Sequence, residues 1–148
     1  MVAIGAKLVP MVSIDISYQG DLRCIATHGP SQTQLTTDAP VDNHGKGESF
    51  SPTDLLATAL GSCMLTVMGI EAQRRGWSLA GVTVEVRKVM TQAPPRKVAR
   101  LEVAFSVPTA TSAELDDVAK RVLEERAHSC PVRLSLAESM EVPVSFGW

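Results

Sequence analysis

The sequence predicts a domain of mixed helix and strand, in the order strands, one long helix, strands, a second helix and a last strand. Three observations predict it. Short segments on both sides of the long helix alternate apolar and polar residues with a period of two. An apolar run begins at Ser51 and ends at Gly76, with helix-start and helix-stop residues at its two ends. The segment "AELDDVAKRVLEERA" carries an apolar stripe opposite a charged face.

The elements follow in order. "VSIDISYQG" places Ile14, Ile16 and Tyr18 on one face of a strand. Gly20–Asp21 reads as a hairpin turn, and "LRCIATH" returns as a second strand. Leu22, Cys24 and Ala26 share one side of that strand; Arg23, Ile25 and Thr27 share the other. "TQLTTD" predicts a third strand, and "APVDNHGKGESF" a polar loop. Ser51 is an N-cap residue, Pro52 suits the first helical position, and Asp54 resembles the partner of a capping box. The helix is expected to run to Arg75, where Gly76 stops it. Leu55, Leu56, Leu60, Leu65, Val67, Met68 and Ile70 leave it little polar surface, so it is expected to be buried inside the domain or between subunits. "VTVEVRKVM" and "VARLEVAFSV" read as a hairpin joined by "TQAPPRK". Thr111 or Ser112 opens the second helix, whose stripe is Leu115, Val118, Val122 and Leu123. Pro131 can start a short third helix with Cys130 near its N-cap, and "MEVPVSFGW" ends the chain as a strand.

Composition excludes several function classes. The 148 residues fit a single domain, residues 1–148, with a sizeable core. A net charge of −2, no Lys/Arg cluster and 4% aromatic residues argue against nucleic-acid partners. "MVAIGAKLVPMV" has no basic leader and no sustained apolar region, so no signal peptide is expected. No apolar stretch reads as long and pure enough to span a bilayer, so no membrane partner is expected. Three widely spaced cysteines, Cys24, Cys63 and Cys130, are not a secreted disulfide framework. A cytoplasmic location is expected, where any disulfide is transient or catalytic.

The cysteines differ in setting. Cys63 follows Gly61 and Ser62 and shares a helix face with Leu56, Ala59 and Val67. On these residues alone it reads either as a small buried hydrophobe or as a working thiol. Apolar walls raise a thiol pKa, so a reactive Cys63 needs a cation from outside the helix. Cys130 sits where a helix start can lower a thiol pKa, or where a tight junction needs a small residue. Cys24 reads as a half-buried strand residue. His44 and His128 with Cys63 and Cys130 lack metal-site spacing, and no metal is expected.

"GESFSPTDLLATALGSCM", followed far downstream by "HSCPV", resembles the OsmC/Ohr family (osmotically inducible protein C and organic hydroperoxide resistance proteins). "YQGDLRCIATHG" and "TTDAPVDNHGKGESF" resemble its OsmC-like branch, so the likeness covers most of the chain. The resemblance implies an α+β fold with antiparallel sheets around a long buried central helix, in an intertwined homodimer. It implies thiol-dependent reduction of organic hydroperoxides in oxidative or osmotic stress defence, with Cys63 peroxidatic and Cys130 resolving. A dithiol or lipoyl-type reductant then reopens the disulfide, and no bound cofactor is implied. In the best-studied branches of the family a Glu lies ten residues before the first cysteine, and a carboxylate commonly orients the cation; here that place holds Thr53. Glu48 is the expected substitute and Arg23 the expected cation, with Lys46 a second candidate. The departure leaves an alternative expectation: a non-catalytic protein of this fold binding a small hydrophobic ligand in the dimer cleft.

Overall fold

A computed structural model describes residues 11–148. The expectation about a leader in "MVAIGAKLVP" lies outside the described residues. The described chain is α+β, and it divides into two compact units, Met1–Pro52 and Thr53–Trp148.

In the first unit β1 (Ile14–Gly20), β2 (Arg23–His28) and β3 (Gln34–Asp38) form an antiparallel sheet in that order. The expected turn at Gly20–Asp21 is shifted by one residue. Gly20 pairs with Arg23, so Asp21 and Leu22 are the two loop residues. Both have positive φ, 51° and 62°, the condition for a two-residue turn whose twist matches its strands. Leu22 is thus a turn residue, held there in part by its N–H donating to the Tyr18 hydroxyl at 3.3 Å. Ile14, Ile16 and Tyr18 do share a face, opposite His28, Ala26 and Cys24, and all three are exposed. The polar loop contains one turn of 3₁₀ helix, Val41–Asn43.

The second unit is built on α1 (Pro52–Arg75), whose bounds match the Ser51–Pro52 start and the Gly76 stop. Gly76 has φ of 72°, the left-handed conformation that ends helices. A membrane-length expectation is corrected here. At 24 residues, with mean hydropathy of 1.6 over its most apolar window, α1 is long and apolar enough to cross a membrane by length and composition. Its stripe of Leu60, Met64 and Met68 is fully buried in the fold. Ile70, on another flank, is 60% exposed, so burial on all sides does not hold within one chain.

β4 (Thr83–Met90) and β5 (Val98–Ser106) pair antiparallel as expected. β6 (Val144–Gly147) then joins β5 in parallel, so the second sheet is mixed rather than antiparallel. A parallel neighbour needs a crossover, and three helices supply it: α2 (Thr109–Ala113), α3 (Asp117–His128) and α4 (Pro131–Ser135). The single helix expected from Thr111 or Ser112 is therefore two helices. Asp116 breaks it, because its carboxylate accepts the Ala119 N–H at 2.7 Å and so caps a new start. The inner stripe of α3 is Ala119, Leu123 and Ala127, while Val118 is 55% exposed. These residues, Leu60, Met64 and Met68, and Leu101, Val103 and Phe105 of β5 form one core cluster. Full burial of each large member stabilises by roughly 1.5–3 kcal/mol.

Candidate active site

The helix α1 places Cys63 beside its buried stripe, between Leu60 and Met64. Cys63 is half-buried and packs against the core cluster, of which Cys130 is a fully buried member. Gly61 explains how the helix fits here. A Cβ at that position would lie 2.7 Å from Val86 Cγ2, so only a residue without one lets β4 pack this closely.

Cys130 comes from the junction between α3 and α4. The helix α3 ends at His128, and Cys130 is the N-cap of α4, with Pro131 at the first helical position. Its sulfur accepts the Arg133 N–H at 3.3 Å, which is the N-cap geometry that "HSCPV" predicts. Cys63 packs against the cluster that holds Cys130 and is close enough to act on its titration. Burial pushes the Cys130 pKa up, the Arg133 N–H pulls against it, and the nearby Cys63 side chain adds to the rise. Cys130 therefore keeps its proton at neutral pH and is a neutral thiol beside Cys63. Both cysteines are free thiols, as is Cys24.

The other two expected site residues lie in the first unit and meet each other there. Arg23 opens β2 and pairs in register with Asp38, the last residue of β3. Arg23 Nη2 donates to Glu48 and lies 3.4 Å from Asp38 Oδ2. The Asp38 side chain is fully buried, and Oδ2 also accepts the Glu48 N–H at 2.9 Å. That backbone donor, then Arg23, holds the Asp38 carboxyl below the usual carboxylate range against its burial. Glu48, then Asp38, raises the Arg23 guanidinium further, so Arg23 is permanently charged. Arg23 Nε is buried with no hydrogen-bond partner among the described residues. Lys46 instead pairs with Asp21 at 3.2 Å.

Thr53, in the place of the family Glu, serves a different cation. Lys88 Nζ of β4 donates to Thr53 Oγ1 at 2.8 Å and to Asp54 Oδ1 at 2.6 Å. The Asp54 carboxylate, expected as a capping group, thus joins an ion pair across the unit. Among the described residues no group of three or more His, Cys, Asp and Glu side chains could hold a metal ion.

Sequence reasoning missed three residues. Asp38 ends the third strand, and its only signal was its place before the polar loop. Arg133 follows the Cys-Pro-Val segment directly, and its Nε is buried with no hydrogen-bond partner among the described residues. Glu71 is a carboxylate on the buried stripe of α1. Helical spacing from Met64 and Met68 could have flagged it.

The chain is similar to known proteins over most of its length. A structure from Psychrobacter arcticus 273-4, provisionally assigned as an osmotic stress induced and detoxification response protein, is 44% identical. That likeness covers 95% of this chain and 99% of the other, with a TM-score of 0.84. An organic hydroperoxide resistance protein OsmC from Legionella pneumophila is 16% identical, covering 96% of this chain and 100% of the other, with a TM-score of 0.74. A Vibrio cholerae structure, provisionally assigned as an organic hydroperoxide resistance protein, has captopril bound in one of its active sites. It is 16% identical over 95% of each chain, with a TM-score of 0.71. The curated proteins gave no significant match. The sequence pattern of the OsmC-like protein family matches residues 45–145, a span holding both thiols of the pair, and the chain belongs to that family.

Proposed function

We propose that this chain is a thiol-dependent peroxidase that reduces organic hydroperoxides in a stress-defence role. The packing of Cys63 against the core cluster that contains Cys130, with the two brought from separate helices, carries this reading. The family, and the hydroperoxide-resistance proteins of the same fold, support it.

The steps balance as follows. The Cys63 thiolate attacks the outer oxygen of ROOH, the O–O bond breaks, and ROH leaves after taking a proton. Cys63 becomes a sulfenic acid. The neutral Cys130 thiol condenses with it, forming the Cys63–Cys130 disulfide and releasing water. An external dithiol, of the lipoyl type or a simpler one, reduces the disulfide through a mixed disulfide and leaves as its own disulfide. Arg23 is the proposed cation for the Cys63 thiolate, with Nε as the unused donor, and Glu48 and Asp38 orient it. Residues 1–148 are proposed to act as one domain in a homodimer, supported by the exposed Ile14, Ile16, Tyr18 and Ile70. The cytoplasm, where thiols stay reduced, is the proposed location. The binding-protein alternative is not favoured, since a hydrophobic cleft has no need of two adjacent thiols.

The test is consumption of cumene hydroperoxide with dithiothreitol or dihydrolipoamide as reductant. Wild type is expected to turn over and Cys63→Ser to be inactive. Cys130→Ser is expected to stop at a trappable sulfenic acid when no external thiol is present. An inactive wild type, or a fully active Cys63→Ser, would reject the reading.

A further inference from the structure

Glu71 is a carboxylate in the wrong place for an apolar helix. It lies two turns beyond Cys63 on α1, and its side chain is 5% exposed. Three arginines hold it. Oε1 accepts from Arg74, at 3.2 Å, and from Arg75, both on its own helix. Oε2 faces Arg126 of α3, with the Arg126 Nε at 3.3 Å. Arg75, first of these, and then the other arginines hold the carboxyl below its ordinary range, so it is ionised at neutral pH. One oxygen thus serves α1 alone, and the other ties α1 to α3.

That tie sits at a telling place. Arg126 is in the last turn of α3, and the chain reaches Cys130 one turn later. On the inner face of α3 the buried Leu123 lies between the small Ala119 and Ala127, so beyond Leu123 the end of the helix nearest Cys130 offers the core only an alanine. An ion pair is directional where alanine packing is not. We propose that Glu71 and Arg126 are positioning residues that hold the end of α3 in register with α1, and so keep the Cys130 thiol against Cys63. This deepens the peroxidase reading and rests on it for its use, since only a disulfide-cycling pair needs so defined a contact. Two thiols held in contact form a disulfide with a high effective concentration, and loosening one of them lowers it.

The experiment needs no hydroperoxide. The full chain carrying Cys24→Ser is equilibrated with reduced and oxidised glutathione, and the Cys63–Cys130 disulfide is quantified. Arg126→Ala is expected to lower the equilibrium constant for disulfide formation about tenfold, raising the reduction potential by roughly 30 mV. Arg126→Lys is expected to recover part of that shift. Arg74→Ala, which removes a partner of Glu71 within α1 only, is expected to leave the constant within twofold of the parent. Circular dichroism checks that each variant is folded. If Arg126→Ala stays within twofold while folded, if Arg74→Ala shifts the constant equally, or if the parent forms no such disulfide, the proposal is overturned. An inactive peroxidase with a normal, Arg126-dependent glutathione equilibrium would reject the function and leave the positioning role standing.

Discussion

The two groups of site residues are stabilised by opposite means. Cys63 and Cys130 sit against a core of Leu60, Met64, Leu123 and Ala127, where apolar packing fixes position and raises the cost of charge. Arg23, Asp38 and Glu48 sit at the open end of a small sheet, where ion pairs and one backbone donor fix position and favour the charged forms of Arg23 and Asp38. Position without charge gives a slow thiol, and charge without a thiol gives no chemistry. On the proposed reading the two groups have different tasks: the cysteines supply the reacting sulfurs and Arg23 the guanidinium.

Four changes break or sharpen that contrast, in falling order of effect. Cys63→Ser removes the reacting atom and is expected to lower hydroperoxide reduction by roughly a thousandfold or more, read by peroxide consumption. Arg23→Ala leaves both thiols in place and is expected to slow Cys63 oxidation by roughly tenfold to a hundredfold, with the glutathione equilibrium of the thiol pair unchanged. A rate equal to wild type would show that the cation comes from elsewhere, and Arg133 would be the next candidate. Gly61→Ala strikes only the packing side of the contrast. The new Cβ presses on Val86, which costs roughly 1–3 kcal/mol, against about 1 kcal/mol gained from helix propensity. A net loss is expected by denaturant melt, and Val86→Ala in the same chain is expected to cost less than the sum of the two single changes.

The smallest effect belongs to the charged side. The folded Asp38 carboxyl titrates below its unfolded value, so its stabilising contribution is complete above that value, about pH 4. It is lost as pH falls through the folded pKa. Asp38→Asn is therefore expected to be less stable than wild type at pH 7, and the gap to close as pH drops below about 4. A gap that is constant with pH would mean that the carboxylate charge contributes nothing.

The same contrast explains what could be read in the sequence. The helix α1 was legible to the residue, because Ser51–Pro52 and Gly76 act locally on backbone conformation. The Cys130 cap was legible for the same reason, through Pro131. The pairing of Arg23 with Glu48 was anticipated only as a role implied by family resemblance, and the structure adds the contact itself. Most of what escaped depends on contacts between distant segments. The parallel β6 follows from a crossover whose path no local pattern records. The break before α3 was hidden because Asp116 sits within an apolar repeat that reads equally well as one helix. Glu71 was passed over because its three arginines come from two helices, and only folding gathers them.

The most direct test of the central claim is a single turnover. Reduced protein is mixed with one equivalent of cumene hydroperoxide without external thiol, and free thiols and disulfides are mapped by mass spectrometry. The account predicts that two thiols are lost per hydroperoxide, that Cys63 and Cys130 are joined, and that Cys24 stays free. Hydroperoxide left unconsumed, or consumed equally by Cys63→Ser, would contradict it.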